Sequence, residues 1–220
     1  EIPLRLVGSE MCIRDRRSFG WTLALTACAM LLGSLIGGFF AIARVSHNNL
    51  LRRFAVAYIQ LLQGLPVLLV LFLSYFGLAY LGFDPPALVI ATVALGLYSG
   101  AYLADIWRGA MESVPFQQWE ASSSLAMTRV QQFRYIILPQ SIRISLPPTV
   151  GFLVQLVKNT SIVSVVGYID LMRAGEHIEA SLHSPFKIYG IVALMYFLLC
   201  FPLSHLSKAL ERKMNAHRSS

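Results

Sequence analysis

Charge is scarce in this chain. Only 13% of its 220 residues are Asp, Glu, Lys or Arg, about half the share of an ordinary soluble domain. Cysteine is scarce too: Cys12, Cys28 and Cys200 form no C-x-x-C pair, so neither a disulfide scaffold nor a zinc site is indicated. No G-x-x-x-x-G-K-[ST] phosphate loop occurs. The histidines are scattered, and no nucleophile–base pair or metal cluster stands out. Together these absences argue against covalent or metal-assisted chemistry, and no cofactor or metal is expected on this chain. What is abundant is apolar surface, with 56% hydrophobic residues, which places the chain in the membrane class.

Five segments approach the roughly 20 apolar residues that a helix needs to cross a bilayer. They run about 19–43, 55–81, 86–107, 147–168 and 188–206. Asp84-Pro85-Pro86 makes a turn that cannot continue a helix, and Pro147-Pro148 suits the first turn of the fourth span. An all-α polytopic membrane domain over 17–215 is therefore expected, with a polar loop at 108–146 and a basic tail at 207–220. The net charge of +7 would suggest nucleic acid in a soluble protein, but its distribution gives another answer. Segments 44–53, 108–146 and 207–220 carry Arg44, Arg52, Arg53, Arg108, Arg129, Arg134, Arg143, Lys208, Arg212, Lys213 and Arg218. Beyond the leader, the opposite side has only Arg173 and Lys187. The positive-inside rule then puts the loop and the C-terminus in the cytoplasm and the N-terminus outside.

Residues 1–16 stand apart from this pattern. They have neither the apolar core nor the cleavage site of a signal peptide. Val7–Arg16 looks like translated adapter sequence, so a non-native leader is expected there, with a native external leader as the alternative.

Within the polar loop, Ser113-Val114-Pro115 interrupts the chain. From Trp119, apolar residues recur at mixed three- and four-residue steps through Leu125, Ala126, Val130, Phe133, Ile136 and Ile137. That pattern is amphipathic and too short to span; Leu138-Pro139 ends it. Read alone, it fits a helix lying in the headgroup region.

The same stretch, Glu120-Ala121-Ser122 followed by Leu125-Ala126 and by Ile136-x-Leu138-Pro139, resembles the "EAA loop" of ATP-binding-cassette importer permeases. The likeness extends beyond the loop. Leu62-Gln63-Gly64-Leu65-Pro66 is similar to the family's F-R-G-T-P, Ala101–Ile106 with Arg108-Gly109 to A-Y-x-A-E-I-x-R-G, and Lys158–Ile162 to K-D-T-S-L. The resemblance implies the MetI-like permease fold and the polar-amino-acid branch, of the histidine and glutamine type. It further implies that Glu120, Ala121, Leu125, Ala126, Ile136, Leu138 and Pro139 form the segment that seats a separate ATPase, which would hold ATP and Mg. Gln117, Ser122 and Ala126 depart from the family's Gly, Ala and Gly. If position 126 needs a left-handed backbone, Ala costs about 1 kcal/mol there.

Polar residues inside the apolar spans need a reason. A Lys at a helix centre costs roughly 2.5–3.5 kcal/mol on insertion scales. Gln155, Lys158 and Asn159 share one helix face, beside Thr160 and Ser161. They read either as a lining of the translocation path or its gate, or as a buried structural pairing. Gly64 and Pro66 interrupt the second span, which marks either a site or a packing kink. Gly33, Gly37 and Gly38 with Ser34 give the small-x-x-x-small spacing of close helix contact. Asp170, Glu176, His177 and Glu179 lie in the external segment, as a solvated loop or a contact for an external binding protein.

The expected function is that of a transmembrane subunit in the bacterial cytoplasmic membrane, importing polar amino acids by alternating access. Its expected partners are an ATPase, a second permease chain (the same or a relative), an extracytoplasmic solute-binding protein and lipid, with no nucleic acid. Import of another small polar solute, such as an opine or amine, is the alternative. A channel working without an ATPase and a membrane enzyme acting on lipid are the readings from other classes.

Overall fold

The computed structural model describes residues 4–46, 48–83 and 85–216, with side chains from 18 to 214. All regular structure in them is helical: α1 (Leu4–Val45), α2 (Asn49–Gly64), α3 (Val67–Tyr80), α4 (Ala87–Glu112), α5 (Phe116–Ser124), α6 (Arg129–Gln131), α7 (Leu138–Asn159), α8 (Leu171–Leu182) and α9 (Pro185–Ala216). A π-helical turn, Gln132–Ile137, joins α6 to α7, and a 3-10 segment, Thr160–Val166, extends α7. Backbone helix thus continues through much of the segment expected to be a leader.

Four helices are long and apolar enough to cross a membrane: Ser18–Val45, Ala87–Glu112, Arg129–Val166 and Pro185–Met214. The second span is broken at Gly64–Pro66, where the sequence interrupts it. Asn49–Gly64 and Val67–Tyr80 meet at a bend of 103°. Leu65 is extended at φ −100°, ψ 139°, as the ring of the following proline requires. On the α2 side of this break Tyr58 Oη donates to the Leu97 carbonyl at 2.7 Å and Gln63 Nε2 to the Ala101 carbonyl at 3.5 Å, tying α2 to α4.

A correction concerns Pro147 and Pro148. They lie inside α7, not in its first turn, because helix already begins at the polar loop and runs on. Two proline nitrogens without hydrogens leave the carbonyls of Arg143 and Ile144, one turn below them, without their intrahelical partners. The same segment is tied to α9 by Ser207 Oγ, which donates to the Pro147 carbonyl at 2.9 Å.

The bundle is organised by α1 against α4. Glycines on both helices interleave: a Cβ on Gly33 would lie 2.6 Å from Ser99 Cβ, and one on Gly100 would lie 2.6 Å from Ile36 Cγ2. Close approach of this kind replaces the hydrophobic drive that lipid cannot provide. Leu25, Leu71, Leu95, Leu103, Leu156 and Val163 then form one buried cluster from α1, α3, α4, α7 and the 3-10 segment.

At the end of the bundle opposite the polar loop, the segment read as loop holds α8. Asp170, 0% exposed, caps it by accepting from the Arg173 amide at 2.8 Å, and takes a second bond from Tyr196 Oη at 3.2 Å. Thr22 Oγ1 on α1 accepts from the Leu171 amide at 3.1 Å. Burial raises the Asp170 carboxyl to about 6, against the lowering by backbone amides. A folded pKa above the unfolded value means the contribution to stability is full below about pH 4 and lost as pH rises through about 6, an effect of about 3 kcal/mol. Asp170→Asn keeps an oxygen for the cap and removes the charge. Its melting temperature should stay level from pH 4 to 8, where the wild type falls, and exceed the wild type by several degrees at pH 7. An unchanged slope in thermal-shift measurements would place the pH dependence elsewhere.

Candidate functional site

The polar loop is a built object. Pro115, at φ −55° and ψ 137°, starts α5, where a missing amide hydrogen costs nothing. The three serines ending α5 turn back on it: Ser122 and Ser123 hydroxyls donate to the Trp119 carbonyl at 2.9 and 2.8 Å, and Ser124 to that of Glu120 at 3.1 Å. Ser122 is 2% exposed, so the position where the family has a second Ala is one where only a small side chain fits, and the hydroxyl is satisfied internally.

The helix then closes with two backbone bonds, Met127 N to Ser122 O at 3.3 Å and Ala126 N to Ser123 O at 3.0 Å. That is the Schellman pattern, with its left-handed residue at Ala126, whose φ is +55°. The departure from Gly at this position is therefore a strained one. Ala126→Gly should raise stability by about 1 kcal/mol, about 2–4 °C in melting temperature for a chain of this size. A thermal-shift comparison checks it, and a lowered melting point would contradict the argument.

Thr128 begins the next helix with a reciprocal capping box to Gln131. Gln132, 2% exposed, clamps the two arms of the turn together: its Nε2 donates to Ser123 Oγ and to the Met127 carbonyl, both at 3.0 Å. Sequence periodicity missed Gln132, because a π-turn, not an α-turn, carries it inward. Leu125 and Val130, which the amphipathic pattern had placed on one apolar face, are both 75% exposed, because Leu125 ends α5 and Val130 opens α6 and the two do not lie on one continuous helix. The π-turn also precedes Pro139 in the first turn of α7, where a proline is tolerated.

Of the seven expected loop residues, Glu120, Ala121, Leu125, Ala126 and Pro139 are exposed, while Ile136 and Leu138 are half-buried against the bundle. No ion pair to Glu120 occurs among the described residues. Phe116 and Tyr135 are exposed beside them. The loop thus presents apolar side chains and one unpaired acid, which is the makeup of a contact surface and not of a solvated linker.

In the membrane, Pro148, Gly151, Gln155, Lys158 and Val165 are all exposed on α7 and its extension, at steps of three, four and seven. A stripe of small and polar residues in an otherwise apolar span does not face lipid. Gln155 Nε2 donates to Asn159 Oδ1 at 3.3 Å, and Asn159 Nδ2 is buried with no partner. Thr160 is buried and Ser161 half-buried; their hydroxyls return to the Val157 and Lys158 carbonyls at 2.7 Å each. Lys158 and Gln155 are left as the accessible polar groups of the set. Gly64 and Pro66 are exposed at the α2–α3 bend. Val67, just beyond them, packs on the core cluster that holds Leu156, so the bend and the stripe share a core without a hydrogen bond between them among the described residues. No group of three or more His, Cys, Asp or Glu gathers among those residues.

Residues 29–216 match the family described as "Binding-protein-dependent transport system inner membrane component". The chain belongs to that family. Over 197 residues it is 38% identical to the probable amino-acid ABC transporter permease protein YckA of Bacillus subtilis (strain 168), covering 90% of this chain and 87% of that one. It is 35% identical over 198 residues to the probable glutamine ABC transporter permease protein GlnM of the same organism, covering 88% and 92%. Among solved structures, a chain of an amino acid ABC transporter crystallised with histidines superposes with a TM-score of 0.88 at 34% identity, covering 94% of this chain and 97% of that one. This permease therefore has the MetI-like fold expected of it, is a multi-pass inner-membrane component, and is a transport subunit, not an enzyme.

Proposed function

We propose that this permease is the transmembrane subunit of an ATP-driven importer of polar amino acids. The observation that carries the proposal is the rigid turn at 116–139, which offers Glu120, Ala121 and Leu125 to a partner while Gln132 holds its two arms together. An ATPase subunit seats on that turn, with Ile136, Leu138 and Pro139 passing its movement into α7. ATP and Mg belong to that partner, and this chain binds neither. A second permease chain faces the Gln155–Lys158 stripe, so that the path runs between the two copies. Asn159, Thr160 and Ser161 shape its wall, and the Gly64–Pro66 bend shapes its mouth. An extracytoplasmic binding protein delivers the solute to the side of α8. The basic segments place the 108–146 loop and the C-terminus in the cytoplasm and the N-terminus outside. Amino acids are favoured over opines or amines because the similar permeases are amino-acid ones.

The test is affinity purification of the chain from native membranes in mild detergent, with mass spectrometry of what accompanies it. A stoichiometric ATP-binding subunit supports the proposal. An intact chain recovered alone, in conditions that hold other such complexes together, would favour a channel.

A further inference from the structure

The helix that carries Glu120 meets the bundle through the π-turn. α5 packs mainly on Gln132–Ile137, and that turn packs on α7. Movement imposed on α5 therefore reaches α7 by way of whatever joins these two pieces. Apolar packing between them is slight: Ser122 is the one buried residue of α5, and a serine adds little apolar area. The starting end of α5 is held weakly, since Gln140 Nε2 reaches Gln118 Oε1 at 3.5 Å, beyond the usual range of a hydrogen bond.

Gln132 makes the join at the other end. The Met127 carbonyl can only accept, so the amide nitrogen must face it, at 3.0 Å. The same nitrogen donates to Ser123 Oγ at 3.0 Å, and that hydroxyl donates in turn to the Trp119 carbonyl at 2.8 Å. One chain of bonds thus runs from the π-turn through Ser123 into the body of α5, and bonds in such a chain strengthen one another. Gln132 is 2% exposed, so water competes little for its donors. Its Oε1 is buried and accepts nothing among the described residues. For stability alone an apolar side chain of the same shape would serve as well, because a buried, unused polar atom carries a cost. What the amide adds is a directional tie.

We infer that Gln132 is a positioning residue for energy coupling: by tying the π-turn to Ser123 it makes α5 and α7 move as one piece. A displacement of the docking helix is then delivered to the span and not absorbed in the turn. This role presupposes the ATPase seated on α5 in the proposed function. Gln132 is buried and adds nothing to the docking face. Without its amide the ATPase still binds and hydrolyses ATP, and uptake is what is lost.

Gln132→Met tests this, because methionine keeps the length of the side chain and removes both donated bonds together with the unused acceptor. The permease, purified with its ATPase and binding protein, is placed in proteoliposomes and given a radiolabelled mixture of polar amino acids. Uptake and ATP hydrolysis are measured on the same vesicles. Each lost bond shifts an equilibrium by about fivefold, so solute moved per ATP hydrolysed should fall about tenfold or more. The ATPase should stay at wild-type stoichiometry and the melting temperature within about 2 °C. Ser123→Ala, at an exposed position, should lower the same ratio, and adding it to Gln132→Met should lower it no further, since both break one chain. An unchanged ratio in Gln132→Met, or effects of the two variants that multiply, would overturn the inference. Loss of the ATPase from the Gln132→Met complex would overturn it too, by giving Gln132 to the docking surface. A wild-type chain that carries no ATPase would instead overturn the proposed function, and this role with it.

Discussion

Replacing Gly37 with valine is expected to leave little folded permease, while Gly38→Ala beside it, inside α1 and with room for a Cβ, raises stability by about 0.5–1 kcal/mol. The two glycines differ in what surrounds them. A Cβ on Gly37 would sit 2.9 Å from Leu103 Cβ, 3.1 Å from the Gly100 carbonyl and 3.2 Å from the Ala104 nitrogen. Two of those atoms are backbone and cannot turn aside, so α1 must lift off α4. Lifting it also opens the contacts at Gly33, Gly96 and Gly100, which share the seam. Overpacking at one site costs about 1–3 kcal/mol, and loss of the seam adds to that, against a whole-protein stability of about 5–15 kcal/mol. Fluorescence-detected gel filtration and melting curves in detergent read the outcome. A Gly37→Val chain that melts with the wild type would show that α1 and α4 are not held by this seam.

Glu120→Lys should abolish ATP-driven uptake in proteoliposomes and leave the chain inserted and folded. The side chain is exposed and makes no internal bond among the described residues; only its backbone carbonyl is used, by Ser124. Reversing its charge therefore leaves α5, its serine bonds and its Schellman turn intact. At an interface, truncating a desolvated charge costs about 2–5 kcal/mol, and reversal costs at least that much. ATPase binding should weaken about 30-fold or more. Co-purification of the ATPase and uptake should fail together while the melting point holds. Normal uptake by this variant would remove Glu120 from coupling.

Much of this was legible in the residues. The spacing from Glu120 to Leu138-Pro139 located the loop, and the glycines at 33 and 37 announced a close helix contact without naming its partner. The doubt about Ala126 proved to concern a real left-handed position. Other features were not legible. Gln132 looks like one more polar loop residue until the turn between α5 and α7 folds it inward onto Ser123 and Met127. The single amphipathic pattern through Leu125 and Val130 is broken by the turn between α5 and α6, which leaves both exposed. Asp170 reads as a solvated acid because nothing local shows that Thr22 and Tyr196, far away in the chain, converge on α8.

Composition and periodicity determined by themselves that the chain is helical and spans a membrane, because apolar length and basic asymmetry are sums over residues that no fold can alter. The loop's family pattern was likewise local, carried by a few residues at fixed spacing. Only the tertiary structure decided that the second span is bent by 103°, that Pro147 and Pro148 are inside a helix, and which face of α7 leaves Lys158 accessible. Those outcomes depend on which helix lies against which, and packing partners distant in sequence leave no periodic trace in it.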